Sequence, residues 1–407
     1  MKIAAIKTYL MHSGPPRDPT ALDRPDAVPA YATGQPDNGA RHWLFVKVIT
    51  DEGIVGVGEG SGWPLVVEAA VRDLAPVVIG EDPADIERLW QKMFVAQMGH
   101  GLTGTVGAGA LTAIETALWD IKGKVLNTPV WNLLGGKVRD RIRVYAHAST
   151  PEQARAFVEM GYTALKTGGV HRVPEKVGRL RDAIGPEIDL LVDMHGAPWL
   201  NTKDAMIIGR ELEAFRPLFW EDPVAPENVD GLRRLRDAVA VPLAAGERWG
   251  NIWGLQQLLG EGIVDVIQPD TGRSGGISQM KKIAAMAEAR FISVAPHAGT
   301  LGPVAEYAAL HVLAAIPNTL ILERFALDWE PRDHVISPSP KVEAGSILVP
   351  DAPGLGVDLV EEEIAKYPPG HNVAIRGTAK MNAYEAGTFR ESVYVQTRFH
   401  RQSVFAR

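Results

Sequence analysis

The sequence predicts an α/β fold in which parallel strands alternate with helices and close into a barrel. From Arg141 to about residue 330, short apolar runs alternate with amphipathic segments, and eight of the runs are strand candidates. Single strands that alternate with single helices pair in parallel. Six of the runs end in a carboxylate or an imidazole, roughly 23 to 28 residues apart, which is about the length of one strand–helix unit. These six residues are Asp193, Glu221, Glu247, Asp270, His297 and Glu323.

The position of these six side chains also predicts a function. In a barrel of β/α units, the carboxyl ends of all strands meet at one rim, and that rim carries the chemistry. The sequence therefore predicts a metal-dependent acid–base site as well as a fold.

The composition is that of a globular protein large enough for a barrel and a second domain. The chain has 407 residues, of which 46% are hydrophobic and 22% are charged, a balance that fills a large core. The formal net charge is −7, and no run of Lys or Arg forms a patch for nucleic acid or a membrane surface. No apolar stretch is long enough to span a bilayer. We therefore expect neither kind of partner.

The chain contains no cysteine. Disulfides, thiolate catalysis and cysteine-ligated metals are therefore excluded. The N-terminal residues lack the apolar core of a signal peptide. Both observations favour a cytoplasmic location.

The residues outside the repeat predict further elements. The first 60 residues contain antiparallel strands, two of them around a turn at 51–53, and residues 65–98 and 104–126 are predicted helices. Residues 14–40 form a long loop, which is either a surface loop or a lid over the site. We place an α+β domain at 1–125, the barrel at 126–330, and a C-terminal segment that returns to the first domain at 331–407.

Three of the strand-end carboxylates predict a metal site. Asp193, Glu221 and Glu247 end consecutive β/α units, and three neighbouring carboxylates repel one another unless a cation lies between them. Oxygen ligands with positions left for water and substrate suit Mg²⁺. Any one of these residues alone is better explained as a solvated loop acid, whereas three in succession favour the metal.

Asp270 and His297 end the next two strands, so their side chains are predicted neighbours. A carboxylate that is hydrogen-bonded to an imidazole fixes its tautomer and raises its basicity. A lone histidine after an apolar run is more often structural, but the adjacent acidic strand ends favour a catalytic pair.

Three further side chains at this rim have open roles. Lys166 ends the second strand and either is a surface charge or binds a substrate carboxylate. His195 lies two residues after Asp193 and so points to the same side of the chain; it is either a loop histidine or a second proton-transfer group. Glu323 closes the last strand and is expected to hydrogen-bond the substrate.

Several segments together resemble the enolase superfamily in its mandelate racemase branch, and the resemblance covers nearly the whole chain. AIETALWDIKGK and PVWNLLGG precede the barrel, and VDMHG, WEDP and AGER carry the predicted metal ligands. QPD with GRSGGIS, then APHAG, and finally VPDAPGLGVDL follow in the order and spacing of that branch.

The resemblance implies a modified TIM barrel of the (β/α)7β type, with an α+β capping domain built from the N- and C-terminal segments. It implies one Mg²⁺ per subunit, held by Asp193, Glu221 and Glu247. The shared chemical step is removal of the proton α to a carboxylate, with Mg²⁺ and Lys166 stabilising the enediolate. A homo-oligomer, often an octamer in this branch, is also implied.

One departure from that branch selects the reaction. Racemases of the branch carry a second lysine where this chain has Gly168, and racemisation needs bases on both faces of the α-carbon. His195 instead resembles a histidine of the galactonate-type sugar-acid dehydratases, which protonates the departing 3-hydroxyl. We therefore expect a lyase that converts a sugar acid to a 2-keto-3-deoxy acid, with His297 as the base.

Three alternatives remain. An epimerase, racemase or cycloisomerase of an acid sugar would use Lys166 as its second acid–base group. A non-catalytic metal-dependent sugar-acid binding protein would have no use for the complete set of His297, Asp270 and Glu323. A metallohydrolase would use several histidine ligands, whereas these strand ends offer mainly carboxylates. The sugar acid itself is not named by the sequence; the loop at 14–40, residues 98–101 and Arg273 are candidate specificity elements.

Overall fold

A barrel of parallel strands and a three-stranded antiparallel sheet backed by helices form the two parts of the molecule. The structure is a computed structural model, and it describes residues 1–13, 41–101, 104–169, 172–194, 199–298, 301–326, 329–369 and 394–395. The predicted loop at 14–40 lies outside these residues. No described helix is long and apolar enough to cross a membrane.

The antiparallel sheet and three helices form the capping domain. Its elements are β1 (Ile3–Ser13), β2 (Arg41–Thr50), β3 (Val55–Gly60), α1 (Pro64–Val78), α2 (Ile86–Ala96) and α3 (Thr105–Val125). The region 65–98, predicted to be helical, contains two helices, α1 and α2. Gly80 adopts a φ of +83°, outside the helical region, and Pro83 lacks an amide proton. The first helix therefore ends at Val78, and α2 begins only at Ile86.

The two faces of the capping sheet have different partners. Leu44, Val46 and Val48 alternate along β2 and pack in one apolar cluster with α1, α2 and α3. Trp43 and Phe45 point the other way and join the large cluster that includes the barrel helices. The period-two alternation of β2 thus attaches the helices to one face of the sheet and the barrel to the other.

Eight parallel strands build the barrel after the short helix α4 (Val130–Leu133). They are β4 (Arg141–His147), β5 (Ala164–Gly168), β6 (Asp189–Asp193), β8 (Phe219–Glu221), β9 (Leu243–Ala245), β10 (Val266–Ile267), β11 (Ser293–Val294) and β12 (Leu322–Glu323). The two-residue strand β7 (Trp199–Leu200) lies outside the barrel, where it pairs with β17 (Tyr394–Val395).

The barrel closes because β12 pairs with β4 and a bridge between Val294 and Thr319 connects β11 to the eighth strand. A helix follows each of the first seven strands, whereas a 3-10 turn follows β12. The helices are α5 (Pro151–Glu159), α6 (Val173–Ile184), α7 (Thr202–Leu212), α8 (Val229–Ala238), α9 (Asn251–Gly260), α10 (Ile277–Glu288) and α11 (Pro303–Ala314). The predicted (β/α)7β barrel with its capping domain is confirmed.

A single layer of apolar side chains fills the middle of the barrel, with one residue from each strand or its immediate flank. The layer consists of Tyr145, Ala164, Leu191, Phe219, Ala244, Val266, Ala295 and Ile321. Because side chains alternate along a strand, the residues two positions later point to the same side, one layer nearer the carboxyl rim.

The C-terminal segment contributes small elements that contact both parts of the molecule. They are β13 (Ile336–Ser337), β14 (Val342–Glu343), β15 (Ser346–Leu348), β16 (Asp358–Leu359) and α12 (Glu361–Ile364). β15 pairs antiparallel with β4, while the ammonium of Lys47 on β2 lies 2.6 Å from Glu361 Oε1. The domain boundaries at 125 and 330 and the homo-oligomeric state stay predictions.

Two buried carboxylates of the capping domain bind the N-termini of barrel helices. Glu59 on β3 accepts the backbone amides of Gly302 and Ala305 at the start of α11. Glu115 on α3 accepts the amides of Ile277 and Ser278 at the start of α10. Helix N-termini carry unpaired amides and partial positive charge, so each carboxylate fixes a barrel helix to the cap.

His311 on α11 makes stability depend on pH. Its Nδ1 accepts the amide of Trp131 and its Nε2 donates to the carbonyl of Leu355, an arrangement open only to the neutral ring. Burial lowers the pKa of His311 to about 4. The unfolded chain binds this proton below about pH 6.5 and the folded chain does not. The contribution of His311 to the free energy of unfolding is therefore complete above pH 6.5 and falls, by on the order of 3 kcal/mol, as the pH approaches 4.

Urea denaturation of the wild type and His311→Asn between pH 4.5 and 7.5 tests this prediction. Burial raises the pKa values of Glu59 and Glu115 to about 7, and these groups act in the opposite direction. The informative quantity is therefore the difference between the two proteins, which should shrink as the pH falls. A difference that is constant across this range would contradict the assignment.

Candidate active site

The polar side chains that end the strands lie in the layer directly beyond the apolar barrel layer. Lys166, Asp193 and Glu221 each follow a layer residue of their own strand by two positions. Asp193 and Glu221 are register partners on β6 and β8, so their carboxylates are neighbours. His297 and Glu323 follow Ala295 and Ile321 in the same way. The strand period thus brings the predicted residues to one rim.

Glu247 reaches the rim through a different backbone path. It lies three residues after Ala244, and the intervening Gly246 adopts a φ of +144°. A Cβ at Gly246 would lie 2.9 Å from the amide nitrogen of Gln268, which is closer than side-chain carbons approach. Glycine is therefore required for the turn that directs Glu247 into the site.

Lys166 lies among three carboxylates. Its Nζ is 3.0 Å from Asp193 Oδ2, 3.0 Å from Glu221 Oε2 and 2.6 Å from Glu323 Oε1, and it is only 3% exposed. The reading of Lys166 as a surface charge is therefore wrong. The burial of this ammonium would lower its pKa, but Asp193, Glu221 and Glu323 outweigh the burial and hold the pKa well above its usual range.

The crowding of carboxylates also changes the pKa of Glu221. Burial and then repulsion by Asp193 raise its pKa to about 7, against the attraction of Lys166. Its Oε2 accepts the side-chain amide of Gln268 at 2.9 Å, whereas its buried Oε1 has no hydrogen-bond partner among the described residues. An unsatisfied carboxylate oxygen inside a ring of acids is a position for a cation.

The donor set fits a divalent metal ion. Asp193, Glu221 and Glu247 supply oxygens from three consecutive β/α units, and the unpartnered oxygen of Glu221 lies among them. In the present arrangement Lys166 lies between Asp193 and Glu221, and no group of three described acidic or histidine side chains is spaced as a ready metal site. An ion bound by Asp193 and Glu221 would share these carboxylates with the Lys166 ammonium.

Asp270 and His297 form the predicted pair. Asp270 Oδ2 lies 2.6 Å from His297 Nδ1, and both residues are buried. Burial alone would raise the pKa of Asp270, but the Arg273 guanidinium at 3.3 Å and His297 outweigh it and lower the pKa. Asp270 is therefore an anion that holds the imidazole with Nδ1 towards it and Nε2 towards the site.

The Nε2 of His297 points at the acidic residues. It lies 3.1 Å from Glu247 Oε2 and 3.7 Å from Glu323 Oε2. Burial would lower the pKa of His297, yet Glu247, Glu323 and Asp270 together raise it to about 9. The imidazole is thus a basic group in contact with Glu247, one of the predicted metal ligands.

Two residues at the rim, His147 and Gln268, were not predicted from the sequence. His147 ends β4 and its Nε2 lies 2.9 Å from Glu323 Oε1, with its ring stacked on Phe325 at 4.0 Å. Gln268 holds Glu221 as described. His147 could have been found, because it follows the layer residue Tyr145 by two positions. His147 is therefore a second carboxylate-paired histidine at this rim, beside His297.

Other candidate residues are only partly placed. His195 lies outside the described residues, and so does the loop at 14–40. Arg273 is beside the site: its Nε donates to the carbonyl of Glu247 at 2.9 Å as well as approaching Asp270. Arg273 therefore supports the pair and the turn at Glu247.

The arrangement is suited to proton transfer next to a stabilised anion. A histidine with a fixed tautomer lies on one side of the rim, and the ammonium of Lys166 and a cation-binding set of carboxylates lie beside it. Such a site can remove a proton from carbon and hold the negative charge that results.

Two family models match the chain. Residues 29–135 match the mandelate racemase / muconate lactonizing enzyme N-terminal domain, and residues 149–363 match the enolase C-terminal domain-like family. These two matches cover most of the capping domain and most of the barrel; β1 and β4 lie outside them.

Curated relatives include the D-galactonate dehydratase of Klebsiella pneumoniae (strain 342), which is 38% identical over 348 residues, 79% of this chain and 90% of that protein. The D-galactonate dehydratase of Variovorax paradoxus (strain S110) is 38% identical over 351 residues, 80% of this chain and 91% of that protein.

Solved structures agree. The 3,6-anhydro-D-galactonate cycloisomerase from Zobellia galactanivorans has a TM-score of 0.80 and 31% identity, covering 91% of this chain and 100% of that one. An enolase from Pantoea ananatis with bound D-gluconate and Mg has a TM-score of 0.78 and 29% identity, covering 90% and 95%. This chain belongs to the enolase superfamily, in its mandelate racemase / muconate lactonizing enzyme branch.

Proposed function

We propose that this chain is a Mg²⁺-dependent dehydratase of a sugar acid of the aldonate type, a lyase that yields a 2-keto-3-deoxy acid. The observation that carries the proposal is the buried 2.6 Å contact between His297 and Asp270 beside Lys166 and the carboxylate set. The curated relatives named D-galactonate dehydratase and the related structure with D-gluconate and Mg support the same class of substrate.

In the proposed first step His297 Nε2 takes the proton from the carbon next to the substrate carboxylate. Asp270 keeps Nδ1 protonated and stabilises the imidazolium that forms. The electron pair of the broken C–H bond moves into the carboxylate, which becomes an enediolate. Lys166 then donates hydrogen bonds to the substrate oxygen on which negative charge grows. Its ammonium lies at this rim, 2.6–3.0 Å from the carboxylates of Asp193, Glu221 and Glu323.

In the second step the C3–O bond breaks and a C2–C3 double bond forms. We assign to His195 the proton that converts the departing 3-hydroxyl to water, since hydroxide is a poor leaving group. The enol that remains takes a proton at C3 and loses the proton of its C2 hydroxyl, and so becomes the 2-keto acid. Glu323 is assigned a hydrogen bond to the substrate.

Asp193, Glu221 and Glu247 are the residues proposed to hold Mg²⁺. When bound, the ion supplies positive charge to the substrate carboxylate as its second negative charge develops. The unpartnered Oε1 of Glu221 and the raised pKa of its carboxyl group support this assignment.

The choice of elimination over racemisation is supported by β5. Gly168 follows Lys166 by two positions, where a second base would have to stand, and a Cβ there would lie 2.1 Å from the carbonyl oxygen of Asp193. A side chain at this position would displace the strand that carries Asp193. The backbone therefore leaves no room for a lysine at position 168.

We predict that Glu221→Gln weakens Mg²⁺ binding at least about 10-fold, because it removes a ligand charge from the oxygen set. Isothermal titration calorimetry measures the binding without turnover. Asp265→Asn is the matched control: this carboxylate precedes β10 at the opposite end of the barrel, where it accepts the amide of Leu243. Equal Mg²⁺ affinity in wild type and Glu221→Gln would contradict the proposed site.

A second reaction is favoured by one comparison, since the cycloisomerase from Zobellia galactanivorans has the same fold. Product analysis separates the two reactions. We expect incubation with aldonates, beginning with D-galactonate and D-gluconate, to give a 2-keto-3-deoxy acid with net loss of water. An isomeric product of unchanged mass, together with the absence of keto acid from a full set of mono- and diacid sugars, would favour the cycloisomerase.

Three histidines, His147, His195 and His297, should separate the steps when a substrate is incubated in deuterated water and followed by NMR. His297→Asn should lose both α-proton exchange and product. His195→Asn should keep exchange but slow product formation about 10²–10⁴-fold, the usual contribution of a general acid. His147→Asn tests the second carboxylate-paired histidine and should retain measurable exchange.

Two outcomes would revise the assignments. Exchange at the wild-type rate in His297→Asn, with loss of exchange in His147→Asn, would move the base to β4. Normal dehydration in His195→Asn would mean that another group protonates the leaving hydroxyl.

A further inference from the structure

The loop that follows Asp270 is held by the capping domain. Trp90 on α2 donates its indole N–H to the carbonyl of Gly275 at 2.7 Å, and Thr112 on α3 accepts the amide of Gly275 at 2.9 Å. Glu115 accepts the amides at the start of α10, as described above. Residues 270–278 therefore form one segment through which the cap contacts the catalytic rim.

Ser61 extends this contact to the catalytic carboxylate itself. It follows β3 directly, its amide donates to the carbonyl of Gly272 at 2.8 Å, and its hydroxyl donates to Asp270 Oδ1 at 2.9 Å. The residue is 7% exposed. A side chain of the capping domain thus hydrogen-bonds the anion that orients His297.

The packing around Ser61 allows little adjustment. A Cβ at Gly272 would lie 2.8 Å from Ser61 Oγ, and one at Gly109 of α3 would lie 2.2 Å from the carbonyl oxygen of Ser61. Both neighbours are therefore required to be glycine for Ser61 to fit between α3 and the loop. The hydroxyl is fixed where it meets Asp270 by backbone on two sides.

The two oxygens of Asp270 have separate partners. Oδ1 accepts Ser61 and the amide of Gly272, while Oδ2 faces His297 Nδ1 and the guanidinium of Arg273. Two donors on Oδ1 fix the rotation of the carboxylate about its side-chain bond. This rotation decides whether Oδ2 lies in the plane of the imidazole N–H.

We propose that Ser61 is a positioning residue for the base: it fixes the Asp270 carboxylate and so makes proton abstraction depend on the seating of the capping domain on the barrel. The inference rests on the proposed role of His297 as base. Ser61 touches neither the substrate carbon nor the metal ligands, and it acts through Asp270.

The kinetic test is a double-mutant cycle between Ser61→Ala and Asp270→Asn, measured as α-proton exchange of D-galactonate or D-gluconate in deuterated water with Mg²⁺ present. Ser61→Ala should slow exchange about 10-fold with little change in KM, the effect of losing one hydrogen bond to a charged group, about 1.4 kcal/mol. The double variant should be no slower than Asp270→Asn alone. Additive losses, or wild-type exchange in Ser61→Ala, would overturn the proposal.

Thr112→Val is the matched control. It keeps the side-chain shape and removes the acceptor for Gly275, so it weakens the same contact between cap and loop without touching Asp270. We expect a lower thermal midpoint but exchange at the wild-type rate. If Thr112→Val slows exchange as much as Ser61→Ala, the effect is general loosening of the interface and the proposal fails.

A spectroscopic measurement keeps this test independent of the substrate. The Nδ1 proton of His297, hydrogen-bonded to Asp270, should give a downfield proton resonance in the Mg²⁺-loaded protein, assigned by its loss in His297→Asn. Ser61→Ala should shift or broaden this resonance and Thr112→Val should not. Absence of exchange in the wild type with every sugar acid would overturn the proposed function, whereas an unchanged resonance in Ser61→Ala would overturn the role of Ser61.

Discussion

Buried negative charge at the carboxyl rim of the barrel is the constraint on which the rest of the site depends. Asp193, Glu221 and Glu323 approach one another closely enough that a single ammonium, Lys166, contacts all three. Carboxylates at this depth are costly without a counter-ion. The cluster therefore needs positive charge. Its proposed sources are Lys166, the metal ion and the imidazolium of His297. Each would supply positive charge at the place where the enediolate would form.

Much of this rim could be predicted because the strand period is a local property. A buried strand places every second side chain inside the barrel, so a polar residue that ends an apolar run reports a side chain at the rim. Asp193, Glu221 and His297 all follow this rule. His147 and Gln268 follow it too, since each lies two positions after a residue of the apolar layer. The family and its barrel are confirmed; the residue roles remain proposals.

Contacts between distant parts of the chain could not be predicted in this way. Ser61 and Asp270 are 209 positions apart, and their hydrogen bond depends on how the cap lies against the barrel. The carboxylates of Glu59 and Glu115 bind helix N-termini of the barrel, and these contacts also depend on how the cap lies against the barrel. Nothing in the local pattern around these residues distinguishes a buried partner from a solvated charge.

The space left by the backbone limits which side chains can lie at the rim. At Gly168 a Cβ would collide with the carbonyl of Asp193, and at Gly246 with the backbone at Gln268. The first collision leaves no room for a side chain at position 168, and the second shows that Glu247 reaches the rim only by a turn open to glycine. Gly272 and Gly109 do the same for Ser61. The position of a catalytic side chain thus depends on glycines in neighbouring strands and loops, because a larger residue at those positions would displace the backbone next to the site.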